Sequence, residues 1–151
     1  NGVTSKRVHG SLSITGSLTQ NGVLNTGAET ADSTPTILTS NTVSESSANV
    51  NALPNNHVYG VTAKVTAIDD STSQLVRRWL IDGLVKRGST AADTSIVGTP
   101  IITELDGDTG TEGWDVDLVV STTSGSVEIQ VTGETGSTIH WLGKIETEEV
   151  G

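Results

Sequence analysis

The segment Val58–Ile68 (VYGVTAKVTAI) decides the fold class, because its side chains alternate in character with a period of two. The residues of one parity are apolar or aromatic: Tyr59, Val61, Ala63, Val65 and Ala67. Those of the other parity are polar: Thr62, Lys64 and Thr66. This alternation is typical of a β-strand with one face in the core and the other in water.

Further segments with the same alternation, or bounded by turn residues, lie on both sides of this strand. We predict strands at Pro35–Ser40, weakly around Val43, and at Ile96–Leu105, Trp114–Val120, Val127–Val131 and Ile139–Ile145. Some seven or eight short strands at intervals of about a dozen residues indicate an all-β fold, an antiparallel, jelly-roll-like β-sandwich. Because Phe, Met and Cys are absent, its core must be built mainly from Val, Ile, Leu and Ala.

The segment Gln74–Arg87 (QLVRRWLIDGLVKR) is compatible with a strand or a helix. Leu75, Trp79 and Asp82 fit a helical stripe, but Gly83 is unfavourable inside a helix. We predict a strand, because the segment lies among other strands. Apolar side chains of both parities indicate that this strand is central or lies at a subunit contact.

The three tryptophans, Trp79, Trp114 and Trp141, fall on the predicted inward faces of their strands. Exposed tryptophans are common platforms for sugars, but large aromatic side chains more often anchor a core. We therefore predict that all three are buried.

A different pattern precedes the sandwich, in Gly10–Leu24 (GSLSIT, GSLTQN, GVL). Glycine recurs every six residues, and Leu12, Leu18 and Leu24 follow at the same period. A short fixed period is typical of solenoid or fibrous β-structure. Three turns are too few for one chain to bury its own leucines, so we expect several chains to wind together with these leucines on a shared axis. We place this intertwined β-shaft at residues 1–26, interpret Asn25–Asp32 as a polar neck, and assign residues 27–151 to the sandwich.

The repeat resembles the β-structured shafts of bacteriophage tail fibres, and Val127–Thr132 with Thr138–Val150 resembles the closing segment of phage appendage proteins. The resemblance implies a homotrimeric, non-enzymatic part of a virion, joined to other virion proteins through a segment that precedes this chain. It further implies attachment to a host receptor, either a glycan or an outer-membrane protein.

The net charge of −10 bears on the partners of the chain. Residues 1–26 hold Lys6 and Arg7 and no acid, so the remainder has six bases, eighteen acids and a net charge of −12. Such a surface repels phosphate backbones and anionic lipids, so we expect neither nucleic acid nor membrane as a partner. No apolar run is long enough to insert into a membrane.

Two groups of polar residues are candidates for receptor binding, on loops at one end of the sandwich. The first is Asp106, Asp108 and Glu112 in the turn Asp106–Gly113, and the second is Thr135 and Ser137. The acidic group is loosely similar to a calcium loop but lacks its third ligand and flanking helices. We interpret it as a hydrated turn and expect no cofactor; Asp106, Asp108 and His9 are the only weak metal candidates.

Four of the six bases beyond the shaft, Arg77, Arg78, Lys86 and Arg87, lie on one predicted strand. They are candidates for contacts with acids of a neighbouring subunit, or for ordinary cross-strand pairs within one chain.

Motifs that carry catalysis are absent: there is no cysteine, no G-x-S-x-G elbow and no H-E-x-x-H sequence. We therefore expect a protein that is not an enzyme. Receptor attachment is the first functional hypothesis, and a purely structural trimerisation module is the second. A glycan hydrolase is a remote third, because it would need two carboxyl groups across a cleft.

Overall fold

The structure, a computed structural model, describes residues 22–150. Within this range the chain is built from β-strands and one short 3-10 turn (Ala91–Asp93). The strands are β1 (Gly22–Thr30), β2 (Thr36–Ile37), β3 (Asn51–Ala52), β4 (His57–Asp69), β5 (Val76–Arg87), β6 (Thr94–Ile96), β7 (Ile101–Gly107), β8 (Asp115–Ser121), β9 (Ser126–Thr132) and β10 (Ile139–Val150). All of their pairings are antiparallel, so the all-β prediction is confirmed.

The strands form two sheets whose apolar faces share one core. The large sheet has the order β1-β10-β4-β5, with β6 and β7 following one another along the outer edge of β5. The small sheet has β9 at its centre, with β8 on one side and the short strands β2 and β3 on the other. No helix in this part of the chain is long and apolar enough to cross a membrane.

The predicted alternation of Val58–Ile68 is confirmed in β4, the middle strand of the large sheet. All five of its apolar positions from Tyr59 to Ala67 are at most 1% exposed, and the polar positions between them face solvent. Hydrogen-bonded neighbours on both sides, β10 and β5, extend along nearly its whole length.

The three tryptophans are buried, as predicted, and their rings lie against one another. Trp79 of β5 and Trp141 of β10 stack with ring centroids 5.7 Å apart, and Trp114 lies tilted against Trp141 at 6.2 Å. The first pair can meet because β4, the strand between them, contributes only Val65 and Ala67 beneath the rings. The indole N–H of Trp141 donates to the hydroxyl of Thr30 at 2.9 Å.

The segment Gln74–Arg87 is a strand, β5, so the helical alternative is wrong. Its inward side presents Trp79, Ile81 and Val85 to the core. The inward position between the last two is Gly83, where a Cβ atom would lie 2.6 Å from a methyl group of Leu118. Close packing against the small sheet therefore explains this glycine inside a long strand.

The interpretation of Asn25–Asp32 as a neck is wrong, because residues up to Thr30 belong to β1. The inward side of β1 carries threonines whose hydroxyls are satisfied inside the protein: Thr26 donates to the carbonyl of Gly143 at 3.0 Å, and Thr30 accepts from Trp141. Leu24, predicted on a trimer axis, instead packs against the core of its own chain. The boundary drawn after residue 26 therefore falls inside a strand, whereas Leu12, Leu18 and His9 lie outside the described residues.

Two other strand predictions need correction. Ile96–Leu105 is divided between β6 and β7, because Gly98 has a φ of +74° and Pro100 lacks an amide donor. The weak strand around Val43 is a loop, in which Asn49 donates to the side chain of Asn41 at 2.9 Å in place of a strand ladder. With β1 and β3 added, residues 22–150 contain ten strands rather than seven or eight.

Replacing Trp141 by alanine should lower the free energy of unfolding by about 3–5 kcal/mol, because it removes the ring that contacts both other tryptophans. Val43→Ala, at a side chain 58% exposed, is the matched control and should change it by less than about 0.5 kcal/mol. Urea denaturation followed by circular dichroism at one fixed protein concentration measures both values. Equal effects of the two substitutions would contradict the central place of the tryptophans.

Candidate functional site

Three loops converge at one end of the sandwich, which we call the loop end: residues 70–75, 108–114 and 133–138. The amide of Asp70 donates to the carbonyl of Thr138 at 2.9 Å, which joins the first and third loops. The amide of Asp108 donates to the carbonyl of Val76 at 2.9 Å, which joins the second loop to the base of the first. Both groups of predicted receptor residues therefore lie at the same end, although they are well separated in sequence.

A buried guanidinium supports the second loop from below. Arg77, at an inward position of β5, is 6% exposed, and its Nε donates to the hydroxyl of Thr111 at 2.6 Å. It also forms an ion pair with Glu104 of β7. Thr111 in turn donates to the carbonyl of Asp108 at 2.6 Å. A Cβ atom at Gly107 would lie 2.8 Å from the guanidinium, so glycine there makes room for Arg77.

Two of the acidic candidates, Asp108 and Glu112, accept hydrogen bonds from backbone amides of their own chain. A carboxylate oxygen of Asp108 accepts from the amide of Val76 at 3.0 Å, and one of Glu112 accepts from the amide of Gly110 at 2.7 Å. Hydrogen bonds from its own amide and from that of Gly110 hold the pKa of the Glu112 carboxyl below its ordinary value. Asp106 is exposed at the end of β7, in register with Arg78. Nowhere in residues 22–150 do three acidic or histidine side chains come together in a way that could hold a metal ion.

The third loop has fewer internal hydrogen bonds than the second, the other loop with predicted receptor residues. Its turn is closed by one hydrogen bond, from the amide of Ser137 to the carbonyl of Glu134 at 3.2 Å, with Gly136 at a φ of +89°. Thr135 is exposed and Ser137 is half-buried. Beside this loop, His140 contacts Asp70 at 2.7 Å. The loop end therefore presents hydroxyl and carboxylate groups on a well-connected backbone.

The four bases predicted to contact a neighbouring subunit do not act as one group. Arg77 and Arg87 stabilise their own chain, the latter by donating to Asn55 at 2.7 Å and to Thr94 at 3.1 Å. Arg78 and Lys86 are exposed and form no ion pair with any residue between 22 and 150. Only these two remain available for contacts outside the chain.

One buried carboxyl, Glu128 of β9, was not singled out from the sequence. It is 4% exposed and accepts from the hydroxyl of Ser126. Burial, and to a smaller extent the nearby carboxylate of Glu45, raise the pKa of Glu128 to about 7. A raised pKa is what a hydrolase requires of its acid. However, the cavity beside Glu128 has a volume of about 10 Å³, which accommodates one water molecule and no sugar.

Comparisons with known proteins give a structural likeness but no match in sequence. No protein-family profile matches the chain, and no curated protein matches it in sequence. The crystal structure of the tailspike protein of Acinetobacter phage vB_ApiP_P1 is similar at a TM-score of 0.30 and 12% identity. The likeness covers 97% of this chain and 25% of the tailspike chain, so this chain spans about a quarter of that protein's length. A TM-score this low does not establish a shared fold.

Arg77→Met should loosen the second loop and lower the free energy of unfolding by about 1.5–3 kcal/mol, because a buried charge-assisted hydrogen bond is lost. Hydrogen exchange of the amides in residues 108–113 should accelerate more than that of β4. Arg78→Met, the adjacent exposed arginine, is the control and should leave both quantities nearly unchanged. Unaltered exchange in the loop of the Arg77 variant would show that the guanidinium does not support it.

The stability of the protein should depend on pH through Glu128. In the unfolded chain this carboxyl loses its proton near its ordinary pKa of 4.5, whereas the folded state holds it up to about pH 7. Between these values the folded state binds more protons, so its contribution to the free energy of unfolding falls as pH rises from 4.5 to 7 and is constant above that.

Comparing Glu128→Gln with the unaltered protein isolates this contribution. The stability of the variant relative to the unaltered protein should increase between pH 4.5 and 7, as measured by urea denaturation at several pH values. Glu148→Gln, an exposed residue of β10, is the control and should show no comparable trend. A constant difference for Glu128→Gln over this range would contradict a raised pKa.

Proposed function

We propose that this chain is the outer part of a bacteriophage virion appendage, which assembles as a homotrimer and attaches to the host surface without catalysis. The observation that supports the proposal is the direction in which the chain enters the sandwich relative to its loops. Three polar loops gather at one end of the sandwich, and the chain enters β1 from the other direction. An attachment module at the outer end of a fibre needs this arrangement, because the surface that meets the host must point away from the shaft.

The pairing register of β1 with β10 gives this direction. Gly22 pairs with Thr147 in the far half of β10, whereas Thr30 pairs with Ile139 beside the loop end. The chain therefore runs from the opposite end towards the loop end in its first described strand. Residues 10–24 carry the shaft-like repeat immediately before or at this entry point. The end of β1 that follows the repeat in sequence and the loop end therefore lie at opposite ends of the sandwich.

The chemistry of the loop end favours recognition by hydrogen bonds. The three tryptophans and Tyr59 are all buried, so no aromatic platform is exposed in residues 22–150. Exposed hydroxyl and carboxylate groups, such as Thr72, Thr135, Glu112 and Glu134, suit the hydroxyls of a glycan or the polar surface of an outer-membrane protein. Contacts of this kind are weak singly, and three copies on one fibre would make attachment strong through avidity.

A purely structural role is the second candidate function, and one observation favours it. The carboxylates of Asp108 and Glu112 are occupied by amides of their own chain. A module that only closes or registers a fibre would have such self-satisfied loops. On this alternative, substitutions at the loop end would leave attachment unchanged.

Thr135→Arg should abolish or strongly reduce binding of the full chain, because a long cation at an exposed position of the third loop blocks the proposed receptor surface. Thr122→Arg is the matched control: it introduces the same change at an exposed threonine of the β8–β9 loop, at the opposite end. Binding would be measured on an array of bacterial surface polysaccharides and on outer-membrane vesicles. Equal binding of both variants to a probe that the unaltered chain binds would show that the third loop is not the receptor surface. An unaltered chain that binds no probe would favour the structural role.

A further inference from the structure

The edge strand β7 is exposed on both of its faces. All seven of its residues are exposed, among them Ile101 at 65%, Ile102 at 39% and Leu105 at 41%. It pairs only with β5, and its outer edge has no strand partner among residues 22–150. The small sheet does not reach far enough to cover it. A long apolar edge strand in this condition is a ready site for association with another chain.

The charges of β7 disfavour pairing with the same strand of a second copy. Glu104 is paired with Arg77 of its own chain, but Asp106 has no ion-pair partner among residues 22–150, so an antiparallel β7–β7 contact centred near Asp106 would bring two unpaired carboxylates together. Like charges across such a contact are destabilising. The surface that receives β7 is therefore expected to be a different one, with apolar and basic groups.

The outward face of the large sheet offers such a surface. Lys64 of β4 and Lys144 of β10 are directly opposite each other in register, which is unfavourable for two like charges. Lys144 has an acidic neighbour, Glu146, at 3.2 Å, whereas Lys64 has no ion-pair partner in the described range. The two lysines line a depression of about 250 Å³ together with Thr62 and Glu146. Leu142, at 64% exposure, lies two residues before Lys144 on the same face.

We propose that β7 of one copy docks on the Lys64–Lys144 face of a second copy of this chain. Asp106 would face the lysine pair, and the apolar side chains of β7 would cover Leu142. Within its own chain Asp106 is in register with Arg78 but forms no ion pair with it, so its carboxylate is available. Because the two surfaces differ, the contact is heterologous, and its repetition closes a ring only where the rotation between successive copies closes, as it does in a homotrimer. The inference rests on the proposed function only in requiring that copies of this chain associate.

Disulfide trapping tests the contact directly, since the chain has no cysteine of its own. Full chains carrying Asp106→Cys and full chains carrying Lys64→Cys, distinguished by length tags, would be co-expressed and oxidised. Both positions are exposed, so neither change threatens the fold. The docking predicts a covalent species with one chain of each kind, at least about tenfold more abundant than that from Thr122→Cys with Lys64→Cys.

The outcomes distinguish a wrong docking surface from a chain that does not form oligomers. If the reduced chains sediment as an oligomer but the Asp106–Lys64 pair gives no more covalent product than the control, this docking surface is overturned while the proposed assembly stands. Covalent product between two Asp106→Cys chains would likewise overturn it, in favour of β7–β7 pairing. Chains that sediment as monomers would overturn both proposals.

Charge reversal provides an independent measurement. Asp106→Lys should raise the concentration at which the oligomer dissociates by at least about tenfold, because it places a third cation beside the lysine pair. Adding Lys64→Glu to that variant should restore association towards the original value. If the double variant dissociates as readily as Asp106→Lys alone, the two residues do not face each other.

Discussion

The fold depends on the contact of three indole rings between the two sheets. Trp141 lies on β10, the strand that joins β1 to the rest of the large sheet, and it contacts Trp79 of β5 and Trp114, which immediately precedes β8. Its N–H also fixes Thr30 at the end of β1. In a core without phenylalanine or methionine, the three indole rings are the largest apolar side chains. The contact therefore links β1, β5 and β10 to the segment that leads into β8.

Strands with a clear alternation could be predicted from the sequence, and strands without one could not. The inward parity of β4, β5, β8, β9 and β10 was visible because Val, Ile and Trp occupy it. β1 was missed because its inward residues are mostly small or threonine, and their burial depends on acceptors such as the carbonyl of Gly143, which only the folded chain provides. β3 was missed because a two-residue strand carries no periodic signal.

The loops of the candidate site could be located from the sequence, but the buried side chains near them could not. Turn residues identified the second and third loops, whereas their convergence depends on the topology of the two sheets. Arg77 appeared to be a surface base, although its place at an inward parity, two residues before Trp79, was a signal that it is buried. Glu128 could not be found in this way, because it lies on the outward side of its strand, where the alternation predicts an exposed carboxyl, and its neighbour Glu45 is distant in sequence.

The central claim is that this chain forms the outer part of a multi-chain fibre, with its loops directed away from the shaft. The most direct test is the solution mass of the full chain by light scattering over a range of protein concentrations. The account predicts three times the mass of one chain, maintained on dilution into the low micromolar range. A mass equal to one chain at all concentrations would contradict it, and the protein would then be a monomeric β-sandwich.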